Sequence, residues 1–138
     1  MKHIHHNEAF YQKLGYLFYS IAAADGHVAS EEKDALHKMV LEDWITLEDS
    51  KDQFGTDAAY QIEVIFDFLI EKSLNGEKAY YAFETYFKEN IELFGDEVIE
   101  RIFHTSNRIA ESFHSFNKSE LISLTRLRLL LGKERHIL

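Results

Sequence analysis

Residues 14–40 read LGYLFYSIAAADGHVASEEKDALHKMV. With Phe10 before it, Leu14, Leu17, Phe18, Ile21 and Ala22 recur at spacings of three and four, which predicts one apolar stripe on a helix from about Asn7 to Ala24. Asp25-Gly26 stops that helix, because glycine enters the left-handed conformation of a helix end without steric cost. Ser30 is then a good N-cap, and Glu31 and Glu32 occupy a first turn where the helix dipole favours acids. Leu36, Met39 and Val40 continue an apolar face to about Asp43. Neither stripe can be buried by its own helix, so the pattern predicts helices packed on helices.

Composition extends this to the whole chain. There are 138 residues, 46% hydrophobic, enough for one domain with a sizeable core. Proline is absent, glycine occurs six times, and 11 Phe and 7 Tyr supply bulky contacts, which favours an all-α protein. With no cysteine, disulfides, thiolate metal sites and cysteine nucleophiles are excluded. The opening Met-Lys-His-Ile-His-His lacks an apolar signal core, and no run approaches the roughly 18 apolar residues of a membrane span. The expectation is a single cytoplasmic domain over residues 1–138, with residues 1–6 mobile and no integral membrane segment.

Further along, the stretch from Asp43 to Gly55 is polar apart from Trp44, Ile45, Leu47 and Phe54, and reads as a long connection pinned by Trp44. Thr56 or Asp57 caps a third helix to about Leu74, with Ile62, Ile65, Phe66, Leu69 and Ile70 inward and Asn75-Gly76 as its stop. A fourth runs from Glu77 to Phe94 and closes at Gly95; Asp96 caps a fifth through Val98, Ile102 and Ile109. Asn117-Lys118-Ser119-Glu120 has the spacing of a capping box and opens a last helix that ends at Gly132. The prediction is a compact bundle of about six helices. Shifting the chain by 88 residues lays Ile21-Ala22 on Ile109-Ala110, Glu32 on Glu120 and Leu36 on Leu124, which suggests two helix-loop-helix half-repeats.

The loop between the first two helices carries the most specific chemistry. From Asp25 it reads D-G-x-V-x-x-x-E, matching positions 5, 6, 8 and 12 of an EF-hand calcium loop. Positions 1 and 3 fall on Ile21 and Ala23, which cannot ligate a cation. Asp25, Glu31, Glu32 and the carbonyl of His27 supply fewer than the six or more oxygens calcium takes. Two readings stand side by side: a helix connector, or a weak site for a divalent cation such as calcium.

The segment Leu14–Val40 resembles the hallmark segment of the TerB-like family of tellurite-resistance proteins. That family pairs an apolar helix ending in A-x-A-D-G with a second helix opening on E-E, and often repeats the arrangement in its second half. The resemblance implies an all-helical fold in a bacterial, stress-linked protein that acts by binding Ter-type or membrane-linked partners, including at the inner membrane. It also implies a surface metal site, which by motif position would be Asp25, Glu31 and Glu32. The second half has Phe113 and His114 where the first has Asp25 and Gly26, so it implies no second site.

Three other features bear on function. Glu63, Asp67 and Glu71 are spaced by four, so they share one helical face, as a solvated acidic surface or as a partner surface. Glu111-x-x-His114 and Asp34-x-x-His37 offer the alternative of a di-iron carboxylate oxidoreductase, which needs such a pair on two helices and a Glu from each of two others. Finally, the net charge is −9, unevenly spread: from Lys118 onward five basic residues meet two acidic ones, so an acidic body carries a basic last helix. That balance disfavours nucleic acid and fits a protein partner or head-to-tail self-contact. The residue pattern and the resemblance together favour a non-enzymatic interaction module.

Overall fold

The computed structural model describes residues 8–23, 28, 30–44, 53–114 and 125–132. Every element among them is helical: α1 (Glu8–Ala22), α2 (Ser30–Trp44), α3 (Gln53–Lys72), α4 (Gly76–Glu89), a short 3-10 turn (Ile91–Leu93), α5 (Asp96–His114) and a helix over 125–132, here α6. The all-α bundle expected from the sequence is what forms.

α1 is the central helix and packs against α3, α4 and α5. The apolar stripe predicted for it is buried, but so are Tyr11, Gly15, Tyr19 and Ser20. A helix buried this far round must satisfy its polar groups internally. The Tyr19 hydroxyl donates to the Leu74 carbonyl at 2.7 Å, and Ser20 donates to the Leu17 carbonyl at 2.6 Å. Leu36, Met39 and Val40 of α2, Ile62, Phe66 and Leu69 of α3, Phe83 and Phe87 of α4, and Ile102 and Ile109 of α5 join the same core.

Gly15 sets how closely α1 and α3 approach. A Cβ there would lie 2.9 Å from the Ile65 Cβ and 3.0 Å from the Ile62 carbonyl oxygen, closer than the two helices allow. Gly15→Ala is therefore expected to lower stability: overpacking typically costs about 1–3 kcal/mol, more than the roughly 1 kcal/mol alanine gains over glycine in a helix. A thermal midpoint at or above the parent's would show that α1 and α3 can move apart freely.

Helix boundaries depart from expectation where side chains compete for backbone groups. α3 opens at Gln53, so Gly55 lies inside it, at a cost of about 1 kcal/mol that a long helix absorbs. It ends at Lys72, and Ser73 follows with a φ of 54°, in the left-handed region. Asn75 starts α4 instead of stopping α3: its Oδ1 accepts from the Glu77 and Lys78 amides at 2.7 and 3.2 Å. α4 stops at Glu89, before the predicted Phe94, because Asn90 leaves helical geometry and its side chain donates to the Tyr86 carbonyl at 3.0 Å. The break turns Phe94 back into the core, with its ring 5.4 Å from Phe10, 5.9 Å from Phe83 and 4.9 Å from Phe87. α6 is tied to α4 by Arg126, which lies 4.1 Å over the Tyr80 ring and donates to Glu77 at 3.0 Å.

Candidate interaction surface

The loop carrying the calcium-like pattern is the first candidate. Val28 packs against the core, as a plug between the helices would. Asp25 lies outside the described residues, and of Glu31 and Glu32 only the backbone, in the first turn of α2, is described.

The acidic row of α3 is described. Glu63 and Asp67 face α2, where His37 stands between them: Nδ1 is 3.1 Å from Glu63 Oε1 and Nε2 is 2.9 Å from Asp67 Oδ1. An imidazolium can donate to both carboxylates, whereas a neutral ring carries a single N–H. Lys33 adds a longer contact to Asp67 at 4.0 Å. Glu63 is the more enclosed of the pair, and its second oxygen, Oε2, is buried without a hydrogen-bond partner. Burial raises the Glu63 carboxyl above its ordinary 4.5, with His37 pulling the other way and Asp67 reinforcing the rise. Glu71 is exposed and, among the described residues, makes no ion pair. The three carboxylates thus divide: Glu63 joins the helix interface, Asp67 lies at its edge, and Glu71 faces solvent.

A second polar cluster joins α2 to α5. Trp44 is buried and its Nε1–H donates to Thr105 Oγ1 at 3.0 Å; the Thr105 hydroxyl donates to Asp43 Oδ2 at 2.7 Å. Arg108 reaches Asp43 Oδ1 at 3.3 Å and Glu42 at 3.1 Å, while Arg101 donates to the Asp43 carbonyl and, at 2.9 Å, to Glu97. The last turn of α2 has no basic residue of its own, so Arg101 supplies from α5 the positive charge that its carbonyls attract. An open cleft of about 480 Å³ lies here, lined by Glu42, Asp43, Glu97, Glu100, Arg101 and His104. Most of its polar groups have protein partners: both Asp43 carboxylate oxygens and both terminal nitrogens of Arg101 are bonded, while Arg101 Nε is buried without a partner. The cluster is suited to locking α2 on α5 and presents no activated nucleophile. Arg101, Thr105 and Arg108 at i, i+4 and i+7 share one face of α5, but the helix is polar over much of its surface, so no local signal singles them out.

No family model, curated protein or solved structure matches this chain. Function therefore rests on the geometry. Among the described residues no group of three or more His, Asp or Glu side chains is placed to hold a metal ion. Of the residues that suggested a di-iron centre, Asp34 is exposed, His37 is held by Glu63 and Asp67, Glu111 is exposed, and the His114 side chain is outside the described residues. Among the described residues no helix is long and apolar enough to cross a membrane.

Proposed function

We propose that this chain is a non-enzymatic interaction module of the TerB-like kind, working in the bacterial cytoplasm or at the inner membrane through a protein partner. The observation that carries this reading is the division of labour in the α3 acidic row. Glu63 and Asp67 both face His37, Asp67 being the more open of the two, and Glu71 stands at the surface of a tightly packed bundle with no ion pair among the described residues. Fold alone does not assign function, and tellurite-linked stress enters here through the Leu14–Val40 resemblance.

Asp67→Lys with Glu71→Lys tests the partner surface. Capture of a partner from bacterial extract is expected to fall with helicity kept; the pair should also lower the melting temperature, because Asp67 faces His37 at 2.9 Å and Lys33 at 4.0 Å, whereas Glu71→Lys alone breaks no ion pair among the described residues and should lower capture at an unchanged melting temperature. Wild-type capture is also expected to weaken with salt, since the Debye length shortens to about 8 Å at 0.15 M. Capture indifferent to both changes would leave Asp67 and Glu71 as a solvated face.

The Asp25 loop is tested separately. With positions 1 and 3 of a calcium loop lacking ligands, the expected dissociation constant is about 0.1–1 mM, in the weakest EF-hand class. Asp25→Asn should weaken it further by removing charge while keeping an oxygen. Calorimetry without binding heat at millimolar calcium would leave the loop as a helix connector.

A further inference from the structure

Three of the large apolar side chains exposed on this protein lie in one row of α3: Tyr60, Val64 and Phe68 are 40%, 56% and 45% exposed. Tyr81 and Leu129 are also exposed but lie on α4 and α6, and single apolar residues at a surface are ordinary. Residues spaced by four form a ridge along a helix, and Glu63, Asp67 and Glu71 form the adjacent ridge of the same kind. α3 therefore offers an apolar ridge beside an acidic one, with a groove between them. Lys72 continues the apolar row at its C-terminal end, with its ammonium 5.6 Å from the Phe68 ring centre, so the row closes on a positive charge while the neighbouring ridge is acidic.

We infer that this face of α3 docks a basic amphipathic helix from a partner protein. The inference rests on the interaction-module reading and gives the partner a chemistry. Apolar side chains of the incoming helix sit in the groove over Val64 and Phe68, and its Lys or Arg flank meets Asp67 and Glu71. Two ridges of this kind pack at about −50° between helix axes. Charge complementarity selects the occupant: the chain carries a net −9, which opposes apposition of two acidic faces. Three half-exposed side chains also fall well short of the roughly 800 Å² per side of a standard stable interface. That favours a reversible helix-in-groove contact over a permanent dimer of this chain.

The test titrates the full chain, followed by amide NMR shifts, with a synthetic helix bearing leucines along one face and lysines on one flank. A control peptide keeps the leucines and replaces lysine with glutamate. The lysine peptide is expected to shift the amides around Tyr60, Val64, Phe68 and Glu71, and the glutamate peptide to bind about tenfold more weakly or less. Val64→Ser with Phe68→Ser should reduce binding by about tenfold or more while the bundle stays folded, since both side chains are about half exposed. Equal binding of the two peptides, shifts mapping elsewhere, or binding indifferent to the serine pair would overturn the inference. Shifts at these amides that grow with protein concentration alone would overturn it in favour of a second copy. Extract capture lost in the serine pair, with no binding of the lysine peptide, would keep the interaction module and reject the basic helix. Loss of the module itself would appear as no capture at all by the parent protein.

Discussion

Trp44→Ala is expected to lower the free energy of unfolding by about 3–5 kcal/mol, the range for removing a large buried aromatic. Trp44 ends α2, is 1% exposed, and has its ring centred 6.0 Å from that of Phe18 on the central helix. Alanine would leave a cavity between α1, α2 and α5 and remove the donor to Thr105. The loss is a large part of the roughly 5–15 kcal/mol that a domain typically has. Trp44→Phe separates the two contributions. It restores most of the apolar volume but not the N–H, so its cost should be nearer the 1–3 kcal/mol of a lost buried hydrogen bond. Urea unfolding measures both, with the midpoint falling and the slope unchanged if the bundle still unfolds as one unit. An alanine variant within about 1 kcal/mol of the parent would show that Trp44 does not wedge the helices together.

His37→Ala is expected to destabilise the protein by about 1–3 kcal/mol at neutral pH and by much less in acid. At neutral pH it leaves the Glu63 and Asp67 carboxylates without the ring that faces both. The sign with pH follows from Glu63. Its folded pKa is raised, so the stabilisation linked to its proton is complete below the ordinary 4.5 and is lost as pH rises through the folded value. Above that window the ionised carboxylate is desolvated, and His37 offsets the cost. Without His37 the window extends upward and the penalty grows with pH. Adding Glu63→Gln to His37→Ala removes the uncompensated charge and should restore most of the stability. Thermal unfolding of the parent, His37→Ala, Glu63→Gln and the double variant at pH 4 and pH 7 measures this. A His37→Ala penalty that is the same at both values would show packing, not charge, to be its origin.

How much of this was legible in the sequence varies residue by residue. Phe18, Ile21, Phe66 and Phe87 were expected inside from spacing alone and are buried, because helical periodicity is a local property that packing then uses. The acidic row was visible as a spacing of four, but its division was not: only the approach of α2 decides that Glu63 and Asp67 receive His37 while Glu71 receives nothing comparable. The Asp43 cluster was missed because its partners are about sixty residues apart in the chain, and no local pattern records such a contact.

By itself, then, the sequence determined the helical class, most of the core and the loop whose residues resemble a metal site, since periodicity, capping and ligand type are written in neighbouring residues. Tertiary structure alone decided that α1 is buried on nearly all sides, that Asn75 begins a helix and does not end one, and that Phe94 turns inward. It also decided that Tyr60, Val64 and Phe68 are left outside. The physical reason is common to all of them: burial and hydrogen-bond partners depend on which helices meet, and helices meet through contacts far apart in sequence.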